Sequence, residues 1–231
     1  MEITNEKHGN PRRNFLGKLA AGAAAVGIAT LPNPVKAMSL TGTAFKNAAD
    51  PEAWLARIKG KHKIVFDTTG PHEIFPFAWP KVFLMTNGAD AKDCTAVVIL
   101  RHNAIGYALG NDLWAKYKLG EVFKINDPKT SAPSIRNMFW QPKPGDYSVP
   151  GIGNVDIGIN QLLDDGVLFC ACDVALTVFS AALAGSVNMS AADVKKEWLA
   201  GLLPGIQVVP SGVWAVGRTQ EHGCTYCFVG E

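Results

Sequence analysis

The chain alternates between short, nearly continuous apolar runs and longer segments in which apolar residues recur every three or four positions. The short runs are rich in Val, Ile, Thr and Phe, which favour strands. The run at residues 95–100 contains no charge, which is typical of a strand buried on both faces of a parallel sheet. Five strands are predicted, at residues 62–67, 95–100, 167–171, 206–209 and 225–229.

Helical spacing fills most of the intervals between these strands. Asp50 directly precedes Pro51, which predicts an N-cap followed by a first helical residue, and Ser190 is a second N-cap candidate. Further helices are predicted around residues 79–87, 104–118, 155–165, 173–184 and 212–222. Because strands and helices alternate, the pattern predicts an α/β fold with a mainly parallel five-stranded sheet inside a three-layer sandwich.

The ends of the predicted strands carry the residues of most chemical interest. In parallel α/β folds, ligands bind beyond the carboxyl ends of the strands, beside a switch in strand order. Asp67, His102, Cys172 and Ser211 lie at such ends. Capping a turn is the simpler role for Asp67, and capping a helix is the simpler role for Ser211. The strongest candidates for catalysis are therefore Cys172 and His102.

The periodic pattern is lost between residues 124 and 153. This segment contains five prolines together with Phe139, Trp140 and Tyr147. A segment of this length without regular structure inside a compact domain is usually functional or mobile. We expect it to be an insertion whose aromatic side chains cover the edge that holds Cys172, or pack against a neighbouring subunit.

Residues 1–37 have the features of a twin-arginine signal peptide. Arg12 and Arg13 precede an uncharged, Ala- and Gly-rich run at residues 19–31, and Ala37 completes a small-residue cleavage site. The run is too short for a membrane span, which needs about 20 apolar residues. An uncleaved anchor and a chance arginine pair are the alternatives. The signal predicts a periplasmic or otherwise exported protein that engages the twin-arginine export machinery without stable membrane insertion.

Cleavage after Ala37 would change the charge balance of the chain. The complete sequence has 22 basic and 20 acidic residues. The signal contains five basic and two acidic residues. The mature chain therefore keeps 17 basic and 18 acidic residues and has a net charge of −1. A nucleic-acid-binding domain normally has a basic excess, so this class of function is not expected. Residues 38–60 then form a linker and a short helix, and residues 61–231 form one domain.

Two of the five cysteines are separated by a single residue at the end of a predicted strand. Cys170 and Cys172 point to the same face if the strand includes both. If Asp173 caps the following helix, the backbone N–H groups of that helix would favour a thiolate at Cys172, although the charge of Asp173 opposes it. The alternative is that both thiols are small buried hydrophobic groups, which is favoured for Cys170 and stays open for Cys172.

The remaining candidates have weaker patterns. His102 could assist a thiolate as a base or ion partner, or it could be a hydrogen-bonded structural histidine. Cys224 and Cys227 have the spacing of a redox motif, but they lie at the start of a strand, where residues three apart point to opposite faces. This favours two unrelated structural thiols. No second pair has zinc-ligand spacing, and neither a metal site nor a cofactor-binding residue is assigned.

Two segments resemble the DsrE/DsrF-like sulfur-relay family. They are LLDDGVLFCACDVAL at residues 162–176 and LLPGIQVVPSGVWAVGRTQEHGCTYCFV at residues 202–229, and the run AVVILRHNAIGYAL looks like the family's second strand, which often ends in His. The resemblance covers about residues 61–229 and matches the family at Cys172 and His102. It implies a flavodoxin-like fold, homo-oligomers and, in some members, a cysteine that carries sulfur as a persulfide. The family's known relay is cytoplasmic, so an exported member is a departure.

Two main hypotheses about function follow from the sequence, beside a third in which the protein is a purely structural partner subunit. The first is sulfur transfer or thiol redox chemistry through a persulfide on Cys172, with a partner protein that donates or accepts sulfur. The alternative is a non-catalytic oligomer that binds a small ligand or metal near Cys172 and His102. The sequence names neither the substrate nor the donor.

Overall fold

The computed structural model describes residues 50–88 and 93–230. The predicted signal peptide and most of the predicted linker lie outside these residues. The strands are β1 (His62–Thr68), β2 (Cys94–Leu100), β3 (Ser148–Val149), β4 (Gly153–Asn154), β5 (Leu168–Cys172), β6 (Ile206–Val209) and β7 (Thr225–Val229). The α-helices are α1 (Pro51–Leu55), α2 (Phe75–Thr86), α3 (Asn111–Lys116), α4 (Leu119–Val122), α5 (Ile159–Asp164), α6 (Asp173–Leu183), α7 (Ala191–Ala200) and α8 (Gly212–Glu221).

Five of the strands form one parallel sheet in the order β6-β5-β2-β1-β7. The predicted α/β class, the five-stranded sheet and the flavodoxin-like three-layer architecture are confirmed. From β1 to β6 each successive sheet strand is added on the same side of the sheet. The last connection runs back and places β7 beyond β1. Because parallel crossovers are right-handed, this reversal puts the helix before β7 on the opposite face from the helices that connect β1 to β6.

The two faces of the sheet carry separate hydrophobic cores. The larger core packs Phe66, Val98 and Phe169 against residues of α2, α6 and α7. The smaller core packs alternate strand residues, such as Val97 and Ile99, against α1 and α8. β2 is buried along its whole length, as its uncharged sequence predicted. The sheet is therefore shielded on both faces, and its strand ends remain as the place for a site.

Side-chain caps explain the starts of α1, α7 and α8. Asp50 accepts a hydrogen bond from the backbone N–H of Glu52, Ser190 from that of Asp193, and Ser211 from that of Trp214. These three caps were predicted. Helix α2 begins at Phe75 rather than near residue 79, since Pro76 stands in its first turn, where a missing N–H has no cost.

The region predicted as one helix at residues 104–118 is divided. A 3₁₀ segment (His102–Ala108) follows β2, and α3 begins only at Asn111. His102 opens the 3₁₀ segment with a φ of 51°, in the left-handed region. Among the described residues no single helix is long and apolar enough to cross a membrane. The segments Asp173–Val187 and Ala191–Ala200 meet the length and composition criteria only as a pair bent by 114°.

The insertion at residues 124–153 is part of the larger core. The ring of Phe139 packs 4.2 Å from that of Phe77 and stacks 5.0 Å from that of Tyr147, and it meets Tyr107 edge-on. The Tyr147 hydroxyl donates to the carbonyl oxygen of Met138. These rings fill the interior beside α2 and the 3₁₀ segment. The sequence predicted that these rings cover the edge that holds Cys172 or pack against a neighbouring subunit. In the structure Phe139 and Tyr147 belong to the larger core, which gives the segment a packing role.

Candidate functional site

Cys172 lies at the point in the sheet where the chain reverses direction: the connection after β5 leads outward to β6, and the connection after β6 leads back to β7. It ends β5 and pairs in register with Val209 of the neighbouring β6. The helix that follows β5, α6, packs on the larger core, whereas the helix that follows β6, α8, packs on the smaller core. The two chain segments therefore leave adjacent strands toward opposite faces, and we call the space between them the crevice, since this is the topology at which α/β sheets bind ligands. Cys172 occupies the position at which α/β proteins most often bind ligands.

The thiol of Cys172 is the N-cap of α6. Its Sγ accepts a hydrogen bond from the backbone N–H of Ala175 at 3.3 Å. The expected cap, Asp173, is the first helical residue instead, and its carboxylate forms an ion pair with Lys195 of α7 at 2.8 Å. The carboxylate charge that was expected to oppose a thiolate is thus paired with a lysine. The sulfur faces a helix N-terminus, which stabilises negative charge.

Cys170 and Cys172 have different environments, although both belong to β5. Cys170 is fully buried in the smaller core, and this burial raises the pKa of its thiol well above the usual value. Cys172 contacts the larger core and keeps 6% of its surface exposed. The two side chains were expected to point to the same face, but they belong to different cores because the Cys172 sulfur turns toward the start of α6. Cys170 is the packed thiol that the sequence favoured.

A buried ion pair stands beside this position. Arg101 follows β2 directly, and its Nε and Nη2 donate to the two carboxylate oxygens of Asp67 at 2.6 and 2.8 Å. The hydroxyl of Tyr226 donates to Asp67 Oδ2 at 2.8 Å. Asp67 is 2% exposed, so its charge is compensated by this bidentate pair and the phenol. The sequence had suggested that Asp67 caps a turn, but its carboxylate binds Arg101 and Tyr226 instead.

The hydrogen bond with Asp67 raises the pKa of the Arg101 guanidinium above its usual value. Burial acts against this change, and the charges of Asp67, Tyr226 and Cys172 add to it. The influence of Cys172 fits the register, in which Leu100 pairs with Ala171 and the next two residues are Arg101 and Cys172. Sequence reasoning missed Arg101 and Tyr226. A signal was present, since Arg101 continues the alternation of Val97 and Ile99.

His102 lies on the same edge of the sheet as Cys172, one residue beyond Arg101. Its side chain is exposed, and its ring meets that of Phe179 of α6 edge-on, with centroids 6.3 Å apart. Within residues 50–88 and 93–230 the imidazole makes no hydrogen bond. If His102 is a hydrogen-bonded structural histidine, its partner is therefore not among the described residues. Its assistance to a thiolate stays a prediction.

The start of α8 completes the crevice. Ser211 caps this helix, and Gly212 lies against the side chain of Arg101 so closely that a Cβ there would be 2.4 Å from the arginine Cδ. Glycine is required at this position because the arginine stem occupies the space of a side chain.

The other cysteines lie away from this crevice. Cys224 belongs to the smaller core, and burial raises the pKa of its thiol to about 11. Cys227 packs against the larger core, and burial raises the pKa of its thiol as well. Cys94 is buried at the start of β2. All five cysteines are free thiols. Among the described residues, no group of three or more His, Cys, Asp or Glu side chains is arranged to hold a metal ion.

Comparison with known proteins finds a distant similarity to a solved structure. No protein-family model matches the chain. No curated protein matches it either. A solved structure that is similar is that of the protein of unknown function MTH1491 from Methanobacterium thermoautotrophicum. It is 18% identical, and the alignment covers 72% of this chain and 98% of that one with a TM-score of 0.38.

Proposed function

We propose that this chain is an exported DsrE-like protein in which Cys172 carries sulfur as a persulfide. The observation that supports this most directly is the position of the Cys172 sulfur. It caps α6 at the crevice between β5 and β6 and accepts the Ala175 N–H. Of the two neighbouring thiols only Cys172 keeps exposed surface, because Cys170 is fully buried.

The proposed step is an exchange between sulfur atoms. The Cys172 thiolate attacks the outer sulfur of a donor persulfide, R–S–SH. The S–S bond of the donor breaks, a new S–S bond forms at Cys172, and the donor leaves as the thiolate R–S⁻. The step needs no oxidant or reductant, because one thiolate and one persulfide are consumed and one of each is produced. A thiolate is the reacting species in exchange of this kind.

The test is mass spectrometry of the folded protein after treatment with a low-molecular-weight persulfide. We expect the peptide that contains Cys172 to gain the mass of one sulfur atom, and a reductant to remove it. Cys172→Ser should abolish the gain while preserving the fold, because serine is itself a preferred N-cap. Cys227→Ser is the matched control, since it removes a more exposed thiol outside the crevice and should leave the loading unchanged.

Two results would contradict the proposal. One is equal loading of Cys172→Ser and the wild-type protein. The other is the absence of any added sulfur on Cys172 in the wild type, which would favour the alternative of a non-catalytic binding module.

A further inference from the structure

Arg101 and Cys172 stand at the same level on adjacent strands at the carboxyl edge of the sheet, because Leu100 of β2 pairs with Ala171 of β5. Cys172 ends β5, Arg101 follows β2, Asp67 belongs to β1 and Tyr226 to β7. The last three are joined by hydrogen bonds of 2.6 to 2.8 Å. Neighbouring strands are about 4.8 Å apart, so Arg101 is one strand from Cys172 and Asp67 is two.

We propose that Arg101 is a positioning residue for the sulfur of Cys172. Its guanidinium, fixed by Asp67 and Tyr226, stabilises negative charge on that sulfur, first as the thiolate and, after transfer, as the persulfide anion. Only the part of this inference that concerns the persulfide anion rests on the proposed function. The effect on the thiolate can be measured without sulfur transfer.

The order of the strands decides whether the Arg101–Asp67 pair stabilises or destabilises negative charge on the Cys172 sulfur. Asp67 neutralises Arg101 as a pair, but the positive end of the pair lies on the strand next to Cys172 and the negative end lies one strand further away. Coulomb energy falls with distance, so the nearer positive end dominates at the sulfur. Asp67 is 2% exposed and the Arg101 side chain 28%, so solvent screening of the pair is incomplete.

The side chain of Arg101 is also fixed on its other flank. Two of the three guanidinium nitrogens are occupied by Asp67, and Gly212 of α8 lies against the aliphatic stem. A held cation loses less conformational entropy when it stabilises an anion than a mobile one would. The arrangement therefore holds the charge in place beside Cys172 before any substrate arrives.

The experiment measures the rate at which neutral iodoacetamide labels Cys172 between about pH 6 and pH 10, a range that spans the ordinary ionisation of cysteine. Tandem mass spectrometry distinguishes Cys172 from Cys170 within one peptide. The principal variant combines Arg101→Met with Asp67→Asn, which avoids a buried carboxylate without a partner. We expect Cys172 of this variant to be labelled about tenfold more slowly than Cys172 of the wild type at neutral pH. The difference should vanish at high pH, where Cys172 is ionised in both proteins.

Two further variants separate positioning from folding. Gly212→Ala keeps every charge but moves the Arg101 stem, and it should slow labelling in the same pH-dependent way. Arg101→Lys, which keeps the charge without the bidentate geometry, should restore part of the rate. Arg218→Met is the matched control, since it removes an ion-paired arginine near the other end of α8 and should leave the profile unchanged.

The outcomes are distinct for the two proposals. An identical pH–rate profile in the wild type and in the double variant would overturn the role of Arg101, even if Cys172 still accepts sulfur. A pH-dependent loss of rate in the double variant, with no sulfur loading of the wild type, would support the role of Arg101 toward the thiolate and contradict the proposed function.

Discussion

At the scale of single residues, the site depends on which atoms surround each thiol. The Cys172 sulfur receives a backbone N–H, and Cys172 is level with Arg101 of the adjacent strand, whereas Cys170 and Cys224 are enclosed by the smaller core. Reaction with an alkylating reagent requires both exposure and the thiolate form. The five chemically identical side chains should therefore differ widely in rate.

We expect brief treatment with iodoacetamide at neutral pH to label Cys172 before the other thiols. Cys170 should be slow because it is fully buried. Burial raises the pKa of Cys224 to about 11, so its protonated form persists through neutral pH and its labelling should rise only as the pH approaches that value. Peptide mapping of a time course measures the order. Earlier labelling of Cys227, the most exposed of the five, would show that exposure outweighs the helix N-terminus.

Part of the site could be predicted from the sequence. The place of Cys172 at a strand end and the cap at Ser211 follow from local patterns. The bond between Arg101 and Asp67 does not, because it depends on β1 and β2 being neighbours in the sheet, and the sequence does not encode strand order locally. Tyr226 was missed for the same reason, since its partner is remote in the chain.

At the scale of elements, the insertion is the clearest difference between expectation and structure. Sequence analysis found the loss of periodicity at residues 124–153 but not the place of the rings. The partners of Phe139 include Phe77 and Tyr107, which belong to other elements. Hydrophobic periodicity indicates a helix or strand that buries one face. A side chain that enters the core from an irregular segment produces no such periodic pattern in the sequence.

The packing role of the insertion predicts a loss of stability on truncation. Phe139→Ala should lower the free energy of unfolding by about 3–5 kcal/mol, because it removes a large side chain that is only 1% exposed. Ile135→Ala is the control, since this residue is in the same segment and 72% exposed, and it should change the value by less than about 0.5 kcal/mol. Urea unfolding measures both. Unchanged stability of Phe139→Ala together with faster labelling of Cys172 would instead support a cover over the site.

At the scale of the whole molecule, the sequence predicts export of the domain as a folded unit. The prediction rests on Arg12 and Arg13 and on the apolar run that follows them, which lie outside the residues that the structure describes. A protein exported by the twin-arginine route would complete its sheet in the reducing cytoplasm.

The export prediction can be tested in cells. Replacing Arg12→Lys and Arg13→Lys together should leave the full-length protein in the cytoplasm, because the arginine pair is read by the export receptor. The wild-type protein should appear outside the cytoplasm with a new N-terminus at Met38. Cell fractionation and N-terminal sequencing measure both. Normal export of the double-lysine variant would exclude the twin-arginine route.

The place of β7 in the sheet has a consequence for the order of synthesis. Ile64 of β1 pairs with Thr225 of β7, so one whole side of the first strand stays without its partner until almost the entire described chain has left the ribosome. Pairings so remote in sequence form slowly. During that interval Asp67 also lacks the hydroxyl of Tyr226. The sheet is therefore completed only after translation of β7, and the hydrogen bond from Tyr226 to Asp67 can form only then.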